Sequence, residues 1–506
     1  MTTGKKVLLA LGFGLVFGLP LALLLAIGVL REVMSIDEPP PPDDDLRVVR
    51  LQIPDDQNAF TYFQQAIEKL DLPKDDEPAM DSPAPPPNVK PWPGYEPDPN
   101  EPPPTRKRRW DTLTAGYVEW DQPIVDEVLK RTAEALALWE RGLAAPHYQT
   151  PQPERYTYNI QLPWCVSYLA FANVVSIRSR DRARRGDHEG ALGDALKLTR
   201  FGHQVESGKG GLVEYLVGLT IKEMGASLMR EQVKTCTLPS SRLRHYAAEL
   251  ARYPCVAQGL ADAWRVEYAC QANTIDDFYS GRMTLEDIVS VFRAYPESLR
   301  QRVERLVDRL LWRVALAVSF KPNRTRRAFA ETMRKAIDDA PKHYEAAWDL
   351  DASMPEFRIV GSVLRGNLTG EVLYRILIPG LRGANKMKCQ TNVQVTATRT
   401  LLAMKAYKLD KGRLPETLEQ LVPQYLDAVP IDDFDGKPLR YNASKKIIYS
   451  VGKDVEDNGG ITKQEFVEAK ARELGLDIKD ADPDQLRDFE AEYPWQAPDP
   501  AFAIEF

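Results

Sequence analysis

The sequence predicts a mainly α protein: an N-terminal transmembrane helix, an all-α helical bundle or irregular solenoid, and a small C-terminal α/β head. Three observations predict this. Residues 7–30 run for 24 positions without a charge. Apolar residues then recur at helical spacing from Trp110 to about Met387. Beyond Pro415, prolines and β-formers replace that period. The 506 residues divide into a transmembrane signal anchor (7–30), a proline-rich tether with one short helix (31–109) and an all-α domain (110–387). The α/β head (388–460) and a C-terminal helix and tail (461–506) follow. A net charge of −7 argues against a dedicated nucleic-acid binder, which would show a basic face.

The uncharged run spans about 36 Å as a helix, enough for a hydrocarbon core of roughly 30 Å. Lys5 and Lys6 precede it, and Arg31, then Glu32, Asp37, Glu38 and Asp43 to Asp45, follow it. The positive-inside rule therefore places the N-terminus in the cytoplasm and the rest of the chain across the membrane. A cleaved signal peptide is the rival reading, but its apolar stretch is usually 7–15 residues. Five cysteines, an odd number without CxxC spacing, read as buried small side chains.

Past the membrane, the sequence EPPPPDDD from Glu38 reads as an extended, charged spacer. A short helix follows, with Asp55 or Asp56 as cap and Phe60, Phe63, Ile67 and Leu70 on one face. Thirteen prolines between Pro73 and Pro104 exclude helix and sheet there, so this tract is linker or polyproline II. The cluster Arg106 to Arg109 ends it as a solvated face.

In the helical body, Asp121-Gln122-Pro123 marks a helix start, and Arg185-Gly186-Asp187 a turn between two helices. Gly208-Lys209-Gly210-Gly211 marks another turn. Further helices are expected near 213–234, 240–251, 258–278, 298–314 and 325–350. The run ARRGDHEGALGDALKL, residues 183–198, resembles one unit of a tetratricopeptide-type hairpin, with Ala191 and Ala195 where helices approach. No 34-residue recurrence supports an array.

The C-terminal part opens with a helix near 393–408 that carries Ala406-Tyr407, followed by the turn Lys411-Gly412-Arg413-Leu414-Pro415. A short helix near 417–422, ending in Leu421-Val422-Pro423, leads to the run from Pro430 to Tyr441. Leu439–Tyr441 and Ile447–Ser450 read as a hairpin, closing on Tyr449-Ser450-Val451-Gly452-Lys453-Asp454. In that order these motifs resemble the head of the type II secretion major pseudopilin, over about residues 393–460. The N-terminus departs from that family, because it lacks a prepilin peptidase site and about 360 residues separate the membrane segment from the head. The resemblance thus implies a borrowed head module, not a polymerising subunit.

Chemistry-bearing motifs are few. The histidines are scattered, and no GxSxG, P-loop or strand-linked GxGxxG occurs. One loop stands apart: DVEDNGGITKQE, residues 454–465, resembles an EF-hand calcium loop. Asp454, Glu456, Asn458, the Gly460 carbonyl, Thr462 and Glu465 would fall at its ligand positions, with Gly459 at the reversal. The pseudopilin resemblance implies calcium in the same place by another set, Ser450, Asp454 and Asp457. A solvated acidic turn capping the next helix is the alternative.

These readings give an expectation for function. The chain is a membrane-anchored, envelope-facing helical scaffold or interaction protein with a pseudopilin-like, calcium-stabilised head. Its expected place is the bacterial inner (cytoplasmic) membrane, single-pass, with the bulk periplasmic or extracytoplasmic. The bilayer contacts residues 7–30, and envelope or secretion-apparatus proteins are the expected partners. A membrane-tethered hydrolase with a site assembled from distant helices is the alternative.

Overall fold

The computed structural model describes residues 37–72, 120–158, 162–283, 320–347, 366–378, 383–461, 463–473 and 499–506. The apolar run 7–30, the proline tract, the Arg106–Arg109 cluster and the helix expected near 298–314 lie outside these residues. Among the described residues there are twelve α-helices and one small sheet. None of these helices is long and apolar enough to cross a membrane.

Helix α1 (Ala59–Glu68) buries Phe60 and Phe63, as its spacing predicts. Its cap is Asn58, whose side chain accepts the Phe60 N–H, and Asp55–Gln57 forms a 3₁₀ turn instead. Asn58 wins because it also clasps Gln149 through backbone and side chain, fixing the chain's entry angle. Helix α2 (Gln122–Arg131) starts where expected, with Asp121 accepting from Ile124 N and proline in the first turn. Helix α3 (Ala133–Ala144) lies on α1, close enough that a Cβ at Gly142 would stand 2.5 Å from the Phe63 ring.

Helices α4 (Pro163–Arg184) and α5 (His188–Glu206) flank Gly186, whose φ of +83° no β-carbon residue adopts readily. Helices α5 and α6 (Leu212–Thr235) pack backbone to backbone. A Cβ at Gly202 would lie 2.5 Å from Gly218 O and Lys222 N, and one at Gly225 2.6 Å from Thr199 N. Ala195 sits at this contact, its carbonyl 2.9 Å from a Cβ at Gly225, and Ala191 faces α4, where Ser179 donates to its carbonyl at 2.9 Å. Helices α7 (Ser240–Leu250) and α8 (Ala257–Tyr279) follow close to their expected bounds.

Helix α9 (Pro322–Asp339) ends eleven residues before the expected 350. Ala340 keeps helical geometry, φ −53° and ψ −37°, but Pro341 has no N–H to continue the ladder. Helix α10 (Leu368–Leu377) packs on α9, and α11 (Ala384–Lys411) is longer than expected at both ends. Gly412, at φ +73°, terminates α11 in the left-handed conformation. The short helix expected near 417–422 is a 3₁₀ turn, Leu418–Leu421, stopped by Val422-Pro423.

The hairpin forms as read, with β1 (Arg440–Asn442) antiparallel to β2 (Ile447–Tyr449). A third strand, β3 (Ala501–Ala503), comes from the tail and pairs with the other edge of β2, so that Ile448 faces Phe502. Helix α12 (Lys463–Glu473) lies between β2 and β3 in sequence.

One apolar core joins α1, α3, α4, α5, α7 and α11 to Ile448 and Phe502 of the sheet. A second holds α8, α9 and α10 with Leu46. Helix α6 enters both, Leu212, Tyr215 and Leu219 in the second and Ile221, Leu228 and Val233 in the first. The run Glu38–Asp45, read as an extended, charged spacer, belongs to a strap along the body that spans Asp37 to Asn58. Asp37 accepts the backbone N–H of Asn323 at 2.6 Å and of Arg324 at 3.2 Å, Glu38 pairs with Arg327, and Asp45 pairs with Arg334. The acids that look like solvated linker in sequence are thus the counter-ions of an arginine-rich helix nearly 300 residues on.

Candidate functional site

The loop after β2 is built on two short hydrogen-bonded turns. Asp454 accepts the Glu456 N–H at 3.3 Å, and Asp457 accepts the Gly459 N–H at 3.0 Å and the Tyr449 hydroxyl at 3.1 Å. Asn458 and Gly460 donate their backbone N–H groups to Asp499, at 2.6 and 3.2 Å. Asp499 is almost fully buried and sits just before β3, so the tail closes the loop from outside it.

The oxygens expected to hold calcium serve other donors. Lys445 donates its ammonium to the Gly460 carbonyl at 3.0 Å and pairs with Glu465 at 3.2 Å. A cation of the chain itself therefore rests on the carbonyl and carboxylate at the seventh and twelfth loop positions. In the other frame, Ser450 donates to Asp432 at 2.8 Å and accepts from Gly452 N. Arg440 lies among Asp432 at 2.9 Å, Asp435, and Asp457 at 3.7 Å. Thr462 lies outside the described residues. Among the described residues no group of three or more His, Cys, Asp or Glu side chains is arranged to hold a metal ion. In the structure the loop is held by Lys445, Arg440 and Asp499.

Asp432 is the centre of this region and has no exposed surface. It accepts Phe434 N, Val451 N, the Ser450 hydroxyl and Arg440, which fills all four of its lone-pair directions. Burial nevertheless pushes its carboxyl above the usual range. For Asp435 burial pushes the same way but is outweighed by hydrogen bonds from Arg440 and Lys437 N, and its carboxyl lies below that range. Sequence reading covered Pro430 to Tyr441 but gave these acids no role. The available signal was an acid pair spaced eight and five residues before an arginine on a strand.

A polar seam connects this region to the body. Asp433 accepts His343 Nδ1 at 2.7 Å and Asn392 Nδ2 at 2.7 Å. Asn392 in turn accepts the Cys255 N–H at 2.8 Å. One residue on, Val256 N donates to Glu206, which also takes the ammonium of fully buried Lys222. Lys388 caps the last carbonyls past α9, Ala340 at 3.1 Å and Lys342 at 2.7 Å. The seam holds no activated nucleophile. All five cysteines are free and buried, and burial raises the thiol of Cys389 to about 12 and that of Cys255 further.

Two further buried acids stand at the start of α6. Glu214 accepts the Tyr148 hydroxyl at 2.8 Å, and Glu267 accepts the Leu212 N–H at 3.1 Å. Burial pushes each carboxyl up to about 7. A cavity of about 540 Å³ lies between α6, α11 and β3, where Glu223, Arg230, Gln390 and Gln394 meet Phe502. Arg230 is spent on Gln394 and Thr398 and stacks on Phe502 at 5.2 Å.

No protein family, curated protein or solved structure matches the chain.

Proposed function

We propose that this chain is a membrane-anchored, envelope-facing helical scaffold or interaction protein whose pseudopilin-like C-terminal segment is built into the body. The observation that carries the reading is α11. Its flanks pack on α6 and α7, while the segment that follows it supplies the hairpin to the same core. Support for the reading comes from the order of elements, a long helix leading into an antiparallel hairpin. Here that head shares the core of the body apart from a small cluster of Ile447, Tyr449 and Ala501, and Asp433, Asn392 and His343 fasten it there. A part so fastened serves to present a fixed surface. Arg440 and Lys445 take the place of calcium in this reading.

The bilayer holds residues 7–30, and envelope or secretion-apparatus proteins are the partners. A reporter fused after Phe506 tests the orientation: it is active only outside the cytoplasm. Cross-linking in intact cells, followed by purification in detergent, tests the partners. Recovery of the chain alone would count against a scaffold. The second reading, a membrane-tethered hydrolase, is favoured by one observation: burial raises Glu223, an acid lining the 540 Å³ cavity. Loss of a hydrolytic activity on Glu223→Gln would select it.

A further inference from the structure

The strap fixes where the body stands relative to the membrane. Asp37 is already bound to the first turn of α9, through Asn323 N and Arg324 N, and Glu38 accepts from Asn323 Nδ2 at 2.9 Å. Only six residues, 31–36, separate that contact from the end of the apolar run at residue 30. Six residues reach at most about 22 Å when fully extended. The long proline tract lies on the far side of the strap in sequence and adds nothing to this reach.

The surface brought to the bilayer is the tip where α8 ends and α9 begins. Phe278 and Tyr279 stack on Phe320 at 5.4 and 6.1 Å, and Arg326 pairs with Asp276, so both helix ends form one edge. Tyr279 is 68% exposed, the one large aromatic side chain so exposed among the described residues. Arg282 beside it is 60% exposed, with Nε on Asp277 at 2.7 Å, a carboxylate that Arg155 also neutralises. An exposed tyrosine next to an arginine suits the headgroup layer, where the ring rests on the acyl boundary and the cation meets phosphate.

We infer that the α8–α9 tip lies against the phosphate headgroups of the bilayer that holds residues 7–30, with Tyr279 and Arg282 in contact. This rests on the membrane-anchor reading of that run. It sets the C-terminal segment on the distal side. Helix α9 is 18 residues long, about 27 Å, and the Asp433 junction lies past its other end. Helix α6 leaves α8 beside Glu267 and ends, about 35 Å on, where Lys405 of α11 caps its carbonyls. Arg413 lies beyond that end.

Full-length protein reconstituted in phosphatidylcholine vesicles with one quarter phosphatidylglycerol tests this. A fluorophore is placed at Tyr279→Cys or at Arg413→Cys, and the lipid carries a headgroup-linked nitroxide. Because the native cysteines are buried, a single labelled thiol per chain also reports that each variant is folded. The expected result is flotation with the vesicles, at least halved fluorescence at position 279 and unchanged fluorescence at 413. Asp37→Ala combined with Glu38→Ala lengthens the leash and weakens the quenching at 279 without stopping flotation. Failure to float overturns the anchor reading and this inference together. Flotation with equal quenching at both positions, or stronger quenching at 413, overturns the inference and leaves the anchor reading standing.

Discussion

Asp432 and Asp433 are neighbours in sequence and bind in opposite directions. Asp432 turns into the sheet, to Arg440 and Ser450, while Asp433 turns to Asn392 of α11 and to His343 of the body. Backbone bonds from Tyr344 N to Asp433 O and from Glu345 N to Phe434 O run alongside. One dipeptide therefore holds both the internal order of the C-terminal segment and its seat on the helices.

Arg440 is the more consequential of the two tethered cations. Replacing it, Arg440→Met, leaves buried Asp432 with no counter-charge and Asp435 with only the exposed Lys437 at 3.8 Å. Breaking a buried pair in this way costs about 3 kcal/mol or more. Urea unfolding of the full chain in detergent measures it, and a loss well under 1 kcal/mol would show that the acids are neutral.

Lys445 is over a third exposed, and its partner Glu465 more so. Exposed pairs contribute roughly 0–1 kcal/mol, so Lys445→Met should change stability by no more than that. With the loop oxygens already engaged, millimolar calcium should leave the melting temperature of the parent chain unchanged relative to chelator. A calcium-dependent rise would restore the metal-binding reading.

Glu214 and Glu267 set a pH dependence. Each has a folded pKa of about 7, above the ordinary value of 4.5, so the folded state holds the proton more tightly. Their contribution is whole below pH 4.5 and is lost as pH rises through 7, by up to about 3 kcal/mol each. Glu214→Gln and Glu267→Gln should therefore match the parent near pH 5 and exceed it at pH 8. Unfolding curves at the two pH values check the sign.

The α5–α6 contact tolerates no side chain. Gly202→Ala puts a methyl group 2.5 Å from two backbone atoms of α6, which cannot yield as a flexible side chain would. Parting two long helices should cost about 1–3 kcal/mol. Gly193→Ala, on the same helix with only the Tyr246 hydroxyl at 3.7 Å, is the control and should be neutral or stabilising.

Local signals made much of the helical architecture legible. Asp121-Gln122-Pro123, Gly186 and Gly412 act within one turn of chain, and each marks an observed helix end. Pro341 is an equally local stop signal and lies inside the helix expected to reach 350. The strap was misread because its acids resemble linker until Arg327 and Arg334 are seen beside them. β3 escaped because three residues carry too little pattern to announce a strand. In the C-terminal loop, acids at calcium-like spacing were visible, whereas Lys445 and Arg440 reach them only once the hairpin folds. Spacing shows which oxygens come close, not which cation answers them.

β2 is the middle strand of its sheet, yet its second partner begins 52 residues later, at Ala501. At about 5–20 residues per second, synthesis of that stretch takes roughly 3–10 s, whereas a hairpin closes in microseconds. For those seconds β1 and β2 stand with one bare edge, a surface onto which another nascent chain can add. Order of delivery, not only final packing, thus governs how safely this segment matures, and whatever shields Ile447 until β3 arrives acts as its chaperone.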